Sequence, residues 1–174
     1  MANKEALREL QNRLAERMRA VRTEQPGQSW LAVDCAGQGL LFPLRQAGEI
    51  FDAPVLVQVP HAKPWLSGVA NLRGGLYTVV DLARFLGLRA ARSAPATEHK
   101  RLVAFNPSLG LNCALLIDRL EGLRHAADLV REASAPGPRP AFAVARWTDA
   151  AGRVWQEIGL TELASYEMFL GIAG

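Results

Sequence analysis

The chain has 174 residues, of which 49% are hydrophobic and 21% are charged, and its formal net charge is +3. It is long enough for one good core, or for two small cores that share an interface, so it should fold without disulfides or metal ions. No apolar run approaches the roughly 18–20 residues needed to cross a bilayer and no signal-peptide core is found, so we expect a cytoplasmic protein without direct membrane insertion.

The first predicted element is an amphipathic helix within residues 1–25. Its apolar residues recur at spacings of three and four: Leu7, Leu10, Leu14, Met18 and Val21. Pro26 and Gly27 end the pattern. We expect the apolar face to pack on the body of the protein; a docking helix for a partner is the alternative. A membrane-surface role is a minor option, because the face lacks large aromatic residues.

Residues 28–170 are predicted to form one β-rich domain. Short β-like runs alternate there with turn residues, which is typical of a small barrel or sandwich. Turn chemistry predicts three hairpins: residues 30–35 with 40–44, 101–105 with 111–117, and 141–147 with 153–158. Thr161 is predicted to be the N-cap of a short closing helix.

The segment 65–87 places one arginine in a run otherwise suited to burial. Arg73 stands between Leu72 and a pair of glycines, and a guanidinium does not lose its charge near neutral pH. The run is predicted to be a strand followed, from Asp81, by a short helical turn, with Asp81 as its capping residue. We expect these rigid surroundings to aim Arg73 at a partner.

Catalytic and metal-binding patterns are missing from the sequence. No serine lies in a nucleophile-elbow pattern, and the three histidines lie far apart: His61, His99 and His125. Cys35 and Cys113 are predicted to be buried free thiols. Four aspartates carry no signal of convergence: Asp34, Asp52, Asp81 and Asp118. The sequence therefore predicts a protein without enzymatic activity, cofactor or metal.

Two other classes of function stay open. A small β-barrel that binds nucleic acid fits the basic net charge, and the best local cluster is Arg89, Arg92, Lys100 and Arg101 around the predicted flexible loop 90–99. These charges are more simply interpreted as solvated loop residues, because stacking aromatics do not accompany them. A hydrolase with an unfamiliar constellation is the weaker alternative, since it has only the scattered aspartates in its favour.

Residues 68–74, G-V-A-N-L-R-G, together with V-V-D-L at 79–82 and Gly87, closely resemble the signature of CheW-like coupling proteins of bacterial chemosensory arrays. Residues 40–50 resemble the strand and glutamate-containing turn that precede this signature in the family. Residues 102–105 and 114–118 are similar to its later paired strands. The likeness extends from about residue 30 to residue 163.

This resemblance implies a mainly β fold of two packed five-stranded SH3-like barrels, with a hydrophobic groove at their interface. It also implies a non-enzymatic adaptor between a CheA-type histidine kinase and the cytoplasmic tip of a methyl-accepting chemoreceptor, located at membrane-associated receptor arrays. By the same resemblance, Arg73, Glu49 and Ile50 face the receptor, and Asn71 with Gly74 holds the arginine in place. The structural alternatives are an ion pair between the barrels for Arg73, a rim residue for Glu49 and a core residue for Ile50.

Three features resemble the pilus-associated, PilI-type branch of this family, which acts in twitching motility. They are the predicted N-terminal helix, the arrangement V-P-x-x-x-x-W-L-S-G at residues 59–68, and the tripeptide V-A-N at 69–71. The kinase is expected to bind a different surface at a barrel end, whose residues the sequence does not identify.

Overall fold

A computed structural model describes residues 9, 11–13, 27–90, 100–134 and 136–172. The predicted helix over residues 1–25 lies outside these ranges except at residues 9 and 11–13, which are helical. Most of the predicted loop 90–99 and the histidine His99 also lie outside the described residues.

Beyond residue 27, the described chain forms eleven strands, with short helices between and after them. The strands are β1 (Ser29–Cys35), β2 (Gln38–Pro43), β3 (Ala47–Asp52), β4 (Leu66–Leu72), β5 (Gly75–Asp81), β6 (Arg101–Phe105), β7 (Cys113–Ile117), β8 (Arg119–His125), β9 (Leu129–Arg131), β10 (Ala143–Asp149) and β11 (Val154–Ile158). The α-helices are α1 (Leu82–Phe85), α2 (Leu160–Ala164) and α3 (Glu167–Leu170), and 3₁₀ helices lie at Pro107–Leu109 and Ala126–Asp128. None of the helices described is long and apolar enough to span a membrane.

The first barrel is a six-stranded sheet in the order β8-β1-β2-β11-β10-β9. Its two edge strands are consecutive in the chain, because the 3₁₀ helix Ala126–Asp128 interrupts one segment and turns it from β8 into β9. β8 pairs with β1, and β9 pairs with β10. One bent segment therefore closes the sheet, and this interruption explains why six strands are found where five were predicted.

The second barrel is a five-stranded sheet in the order β3-β6-β7-β5-β4. β3 pairs with β6, and the chain that follows reaches the other edge, where Val57 forms an isolated bridge with Val69 of β4. Each of these two residues donates its N–H to the carbonyl oxygen of the other at 2.9 Å. The resemblance predicted a mainly β fold of two packed barrels, and the two sheets confirm it.

The three predicted hairpins are confirmed as β1–β2, β6–β7 and β10–β11. The connections between the barrels carried no local signal in the sequence. The chain leaves the first barrel after β2, completes the second barrel with β3 to β7, and then returns. The parallel pairs β2–β11 and β5–β7 join strands that lie far apart in the chain.

Three apolar cores lie side by side across the molecule. The first barrel encloses an aromatic core with Trp30, Trp147 and Trp155, whereas the second barrel encloses smaller side chains such as Leu102, Ala104 and Ala114. Between them lies an inter-barrel core, to which both sheets contribute: Leu31, Val33, Leu40 and Phe42 from the first barrel, and Val80, Val103, Phe105 and Leu115 from the second. Side chains thus fill the interface where a groove was predicted, leaving at its edge a cleft of about 270 Å³ that Leu86 and Leu88 help to line.

The closing helical region covers one side of the inter-barrel core. α2 begins at Leu160 with Gly159 as its N-cap, so the predicted N-cap at Thr161 is wrong. The cap is supplied from a distance, because the side-chain oxygen of Gln46 accepts hydrogen bonds from the N–H groups of Leu160 (2.7 Å) and Thr161 (3.3 Å). On α3, the buried ring of Phe169 stacks near Trp65 and Phe105 at centroid distances of 6.1 and 6.0 Å.

Both cysteines are buried and free, as predicted. Burial raises the pKa of Cys35 and of Cys113 to about 12. Both thiols therefore stay protonated at neutral pH, where they act as apolar residues of the inter-barrel core.

Candidate functional site

The turn between β4 and β5 presents Arg73. Leu72 pairs with Gly75, so Arg73 and Gly74 are the two central residues of the hairpin. Both have positive φ, +49° for Arg73 and +85° for Gly74, which is the pattern of a type I′ turn. Glycine, asparagine or aspartate normally occupies such positions, and a left-handed conformation costs an ordinary residue about 1–2 kcal/mol. The arginine is therefore kept at a position where its backbone is strained.

Asn71 and Gly74 fix the shape of this turn. The Asn71 side-chain oxygen accepts a hydrogen bond from the Gly74 N–H at 2.9 Å. An added Cβ at Gly74 would meet open space, so the positive φ alone favours glycine there. The predicted structural role of this pair has a geometric basis in that hydrogen bond.

Glu49 reaches the turn from the opposite edge of the same sheet. Ala47 pairs with Phe105 and Ile50 with Val103, so β3 carries one extra residue at this point. Such a β-bulge redirects a side chain. It depends on Gly48, because a Cβ there would lie 2.7 Å from the carbonyl oxygen of Phe105. Ile50 follows the bulge, and its partly buried side chain packs against the inter-barrel core.

Arg73 and Glu49 form an ion pair, with Arg73 Nη2 at 2.5 Å from Glu49 Oε1. The side chains are 76% and 42% exposed. The pair links the two edges of the second barrel, so it is not the ion pair between barrels that stood as the structural alternative. An exposed pair of this kind contributes at most about 1 kcal/mol to stability. Its main physical effect is to orient the guanidinium.

The pair lies at the mouth of a pocket of about 270 Å³ in the second barrel, here called the mouth pocket. Aromatic rings contribute to its lining: Phe51, Tyr77 and Phe105. The structure thus brings Arg73, Glu49, Asn71 and Gly74 together beside an apolar pocket, with Ile50 next along β3. Asp81 lies at the far end of β5.

Asp81 belongs to an ionic cluster that the sequence did not reveal. It caps α1 as predicted, since its side chain accepts from the Arg84 N–H at 3.2 Å. It also lies 3.5 Å from Arg89, which donates to both carboxylate oxygens of Asp118 at 2.7 and 2.6 Å. The backbone N–H of Ala36 donates to the same Asp118 at 2.6 Å. The cluster thereby ties the β1–β2 turn of the first barrel to the second.

The charges in this cluster have a structural role. Burial raises the pKa of Asp118, but the hydrogen bonds from Arg89 and Ala36 outweigh burial and leave the pKa below its usual value. The hydrogen bond that Arg89 donates to Asp118 raises the pKa of Arg89. Asp118 is therefore held as an anion and is a poor proton acceptor, so it does not form an acid–base pair with Asp81.

The other sequence candidates have partners of their own. Asp34 pairs with Arg153 at 2.8 Å, and Asp52 forms an exposed pair with Arg101. His125 Nδ1 lies 2.9 Å from the Ser29 hydroxyl. Among the described residues, no group of histidine, cysteine, aspartate and glutamate side chains is arranged to hold a metal ion.

Among the described residues of the basic cluster that supported a nucleic-acid binder, Arg89 and Lys100 are largely buried and only Arg101 is substantially exposed. Arg89 is bound to Asp118, Lys100 is buried, and Arg101 is paired with Asp52. Arg92 lies outside the described residues. Because phosphate binding needs accessible cations, this geometry disfavours the nucleic-acid alternative.

Comparisons with known proteins bear on the family and the fold of this chain. A family model for the CheW-like domain matches residues 29–164. Protein PilI of Pseudomonas aeruginosa is 32% identical over 100 residues, which cover 56% of this chain and 54% of PilI, so the match spans about half of that relative. The scaffolding protein TtCheW from Thermoanaerobacter tengcongensis has a similar structure, with a TM-score of 0.63 at 15% identity over 76% of this chain and 88% of that one. At this identity, the last match supports the fold alone.

Proposed function

This chain belongs to the family of proteins with a CheW-like domain, and from that premise we propose that it is a non-enzymatic adaptor. In this role it couples the cytoplasmic tip of a methyl-accepting chemoreceptor to a CheA-type histidine kinase. The likeness to PilI supports a place in the control of type IV pilus twitching motility. The receptor binds at Arg73, Glu49 and Ile50, beside the mouth pocket.

The strained and exposed Arg73 is the observation that carries this proposal. Its backbone has φ +49°, and its side chain is 76% exposed and oriented by Glu49. This arrangement adds little to stability, because the cost of the backbone conformation is similar to the gain from an exposed ion pair. Strained residues of this kind cluster at binding sites, where the surrounding structure holds a side chain ready for a partner.

Binding by this surface needs no bond chemistry. A receptor helix tip buries apolar side chains against the mouth pocket, which contributes roughly 25 cal/mol per Å² before association costs. Arg73 sets the orientation through a charge-assisted hydrogen bond to a carboxylate or carbonyl oxygen of the partner. Because Arg73 is already oriented, less side-chain entropy is lost on binding.

The test compares two exposed arginines with a receptor-tip fragment as the binding partner. Arg73→Glu should keep the fold and weaken binding at least about tenfold, which corresponds to about 1.4 kcal/mol. Arg119→Glu is the matched control, because Arg119 is also exposed (71%) and lies near carboxylates, but on the first barrel. Isothermal titration calorimetry measures both affinities, and equal affinities for Arg73→Glu and the wild type would contradict the assigned site.

A charge exchange separates recognition from structure. The double variant Glu49→Arg with Arg73→Glu restores an ion pair across the barrel edges but places the cation on the wrong strand. If Arg73 recognises the receptor, the double variant binds as weakly as Arg73→Glu. Recovery of wild-type affinity would mean that only the ion pair matters.

A further inference from the structure

A larger pocket, of about 600 Å³, lies at the end of the second barrel opposite the Arg73 turn. The first residues of β4 and the last residue of β5 line it, whereas the Arg73 turn joins the other ends of these strands. Strands of this length separate the two places by about 20 Å. The extended segment 53–59 contributes to the lining and gives the pocket its name here, the strap pocket.

The lining of the strap pocket includes a buried lysine whose ammonium group makes no hydrogen bond within the described part of the chain. Lys100 lines it, and the Lys100 side chain is only 5% exposed. Its Nζ makes no hydrogen bond to any described residue. The nearest carboxylate oxygen, Asp118 Oδ1, is 4.0 Å away, and both oxygens of Asp118 already accept hydrogen bonds from Arg89 and Ala36. Buried ammonium groups normally make hydrogen bonds to a partner, whereas this one has, among the described residues, only the 4.0 Å ion pair with Asp118, so it is suited to receive an anion.

The rest of the lining indicates what carries that anion. Segment 53–59 contributes Pro54, Val55, Leu56 and Val59, and the rim valines Val55 and Val59 are 94% and 40% exposed. The volume greatly exceeds that of a carboxylate, so an aliphatic stem and its neighbours fit as well. Lys63 and Arg84 add positive charge to the lining and Asp81 adds one negative charge, so cations outnumber carboxylates among the described lining residues. An acidic group on an apolar segment complements both properties.

We propose that the strap pocket binds a glutamate or aspartate side chain of a partner polypeptide, with Lys100 Nζ as the donor to the carboxylate and the strap valines against flanking aliphatic residues. This site does not depend on the adaptor function proposed above, because it requires neither a receptor nor a kinase. It gives the second barrel separate binding surfaces at its two ends. Burial and repulsion by Arg89 lower the pKa of Lys100, and a bound carboxylate opposes that shift.

The experiment uses the whole chain and two capped peptides, acetyl-Val-Leu-Glu-Leu-Val-amide and its glutamine counterpart. Amide NMR titrations give the affinity, and shifts at Ser67 and Leu116 report the strap pocket. The glutamate peptide should bind at least about tenfold more tightly than the glutamine peptide, because only the first carries the charge. Arg73→Glu should leave this ratio unchanged, so failure here is distinguishable from failure of the receptor site.

Variants test whether Lys100 is the donor. Lys100→Met, which keeps the length of the side chain without its charge, should reduce the glutamate-to-glutamine ratio to about one. Lys63→Met is the matched control, because it removes the other lysine of the lining. It should leave most of the preference for the glutamate peptide intact. If Lys100→Met does not fold, Val55→Asp replaces it: a new negative charge on the rim should weaken the glutamate peptide more than the glutamine peptide.

Three outcomes would overturn the proposal. The first is equal binding of both peptides by the wild type, and the second is an unchanged ratio in Lys100→Met or, in its place, in Val55→Asp. The third is that sodium acetate, at the concentrations used for the peptide, produces the same shifts at Ser67 and Leu116. In that case the ligand would be a free small carboxylate and not a polypeptide side chain.

Discussion

Each barrel is closed by a bent segment of the chain that pairs at both ends of its sheet. The pairing is more extensive in the first barrel than in the second. In the first barrel, the segment pairs with β1 from Ser29 to Asp34 and with β10 through β9. In the second barrel, β3 pairs with β6, but only the Val57–Val69 bridge reaches β4. The remaining edge is spanned by the exposed side chains of Glu49 and Arg73.

The enclosed cores also differ in a way that favours the stability of the first barrel. The first barrel encloses packed indole rings: Trp30 and Trp147 lie 4.8 Å apart, and the Trp155 ring faces the guanidinium groups of Arg124 and Arg153 at 5.0 and 4.3 Å. The second barrel encloses mostly leucine, alanine and valine. We infer that the first barrel contributes more to stability, while the weaker edge of the second leaves side chains available for a partner.

The largest expected effect comes from the aromatic core. Trp155→Ala should lower the free energy of unfolding by about 3–5 kcal/mol, because it leaves a large cavity and removes the hydrogen bond to Asp149. Leu102→Ala in the second barrel should lower it by about 2–4 kcal/mol. Urea denaturation measures both values. A larger loss for Leu102→Ala would contradict the difference in stability between the barrels.

The next effect concerns the bridge that closes the second barrel. A Cβ at Gly68 would lie 2.4 Å from the Val57 carbonyl oxygen, and Gly68 has φ +136°. Gly68→Ala should therefore cost about 3 kcal/mol, through steric overlap and backbone strain together. Gly74→Ala is the control with strain alone, since its Cβ would meet open space, and should cost about 1 kcal/mol. Similar losses in both variants would mean that the bridge is not a tight contact.

A third prediction tests the ionic cluster that ties the barrels together. Asp118→Asn should cost about 2 kcal/mol at pH 7, because Arg89 loses its closest carboxylate. The folded-state pKa of Asp118 is lowered, so its contribution to stability is present above the unfolded-state pKa of about 4 and is lost as the pH falls through the folded-state value. The difference in unfolding free energy between Asp118→Asn and the wild type should therefore decrease as the pH falls.

Thermal unfolding between pH 7 and pH 3 measures this dependence. Asp52→Asn is the matched control, because that carboxylate is 85% exposed and also pairs with an arginine. A gap between Asp118→Asn and wild type that is constant across this range would show that the carboxylate charge does not stabilise the fold.

The smallest expected effect is at Arg73. Arg73→Gly should raise the free energy of unfolding by about 0.5–1 kcal/mol, because glycine adopts the left-handed conformation without strain and an exposed ion pair is worth little. Arg73→Ala loses the ion pair but keeps the strain, so it should be slightly less stable than the wild type. Differential scanning calorimetry distinguishes the two. A variant Arg73→Gly less stable than Arg73→Ala would mean that Arg73 is needed for the fold.

Local patterns in the sequence predicted the local structure. The turns of the three hairpins, the cap at Asp81 and the buried thiols were all visible as residue types at suitable spacings. The closing segments and the parallel strand pairs were not, because pairing between distant strands depends on the whole sheet. The N-cap at Thr161 failed for the same reason, since Gln46 supplies the acceptor from a distant part of the chain.

The candidate site was only partly visible as well. The resemblance predicted binding roles for Arg73 and Glu49, but neither the ion pair between them nor the positive φ of Arg73 could be predicted from it. Lys100 was grouped with solvated loop charges, whereas the structure buries it. No residue type near Lys100 signals burial, because its neighbours in the strap pocket come from four separate parts of the chain.

The chain crosses from the first barrel to the second after β2 and returns after β7. Truncation at one point therefore cannot separate the two barrels. A cut between residues 90 and 100 leaves β1 to β5 in one fragment and β6 to β11 in the other, so each fragment holds strands of both sheets. Neither half can close a barrel alone, and the parallel pairs β2–β11 and β5–β7 form only when the halves meet. The two fragments produced by such a cut should therefore not fold separately. They should recover the native structure when they are mixed.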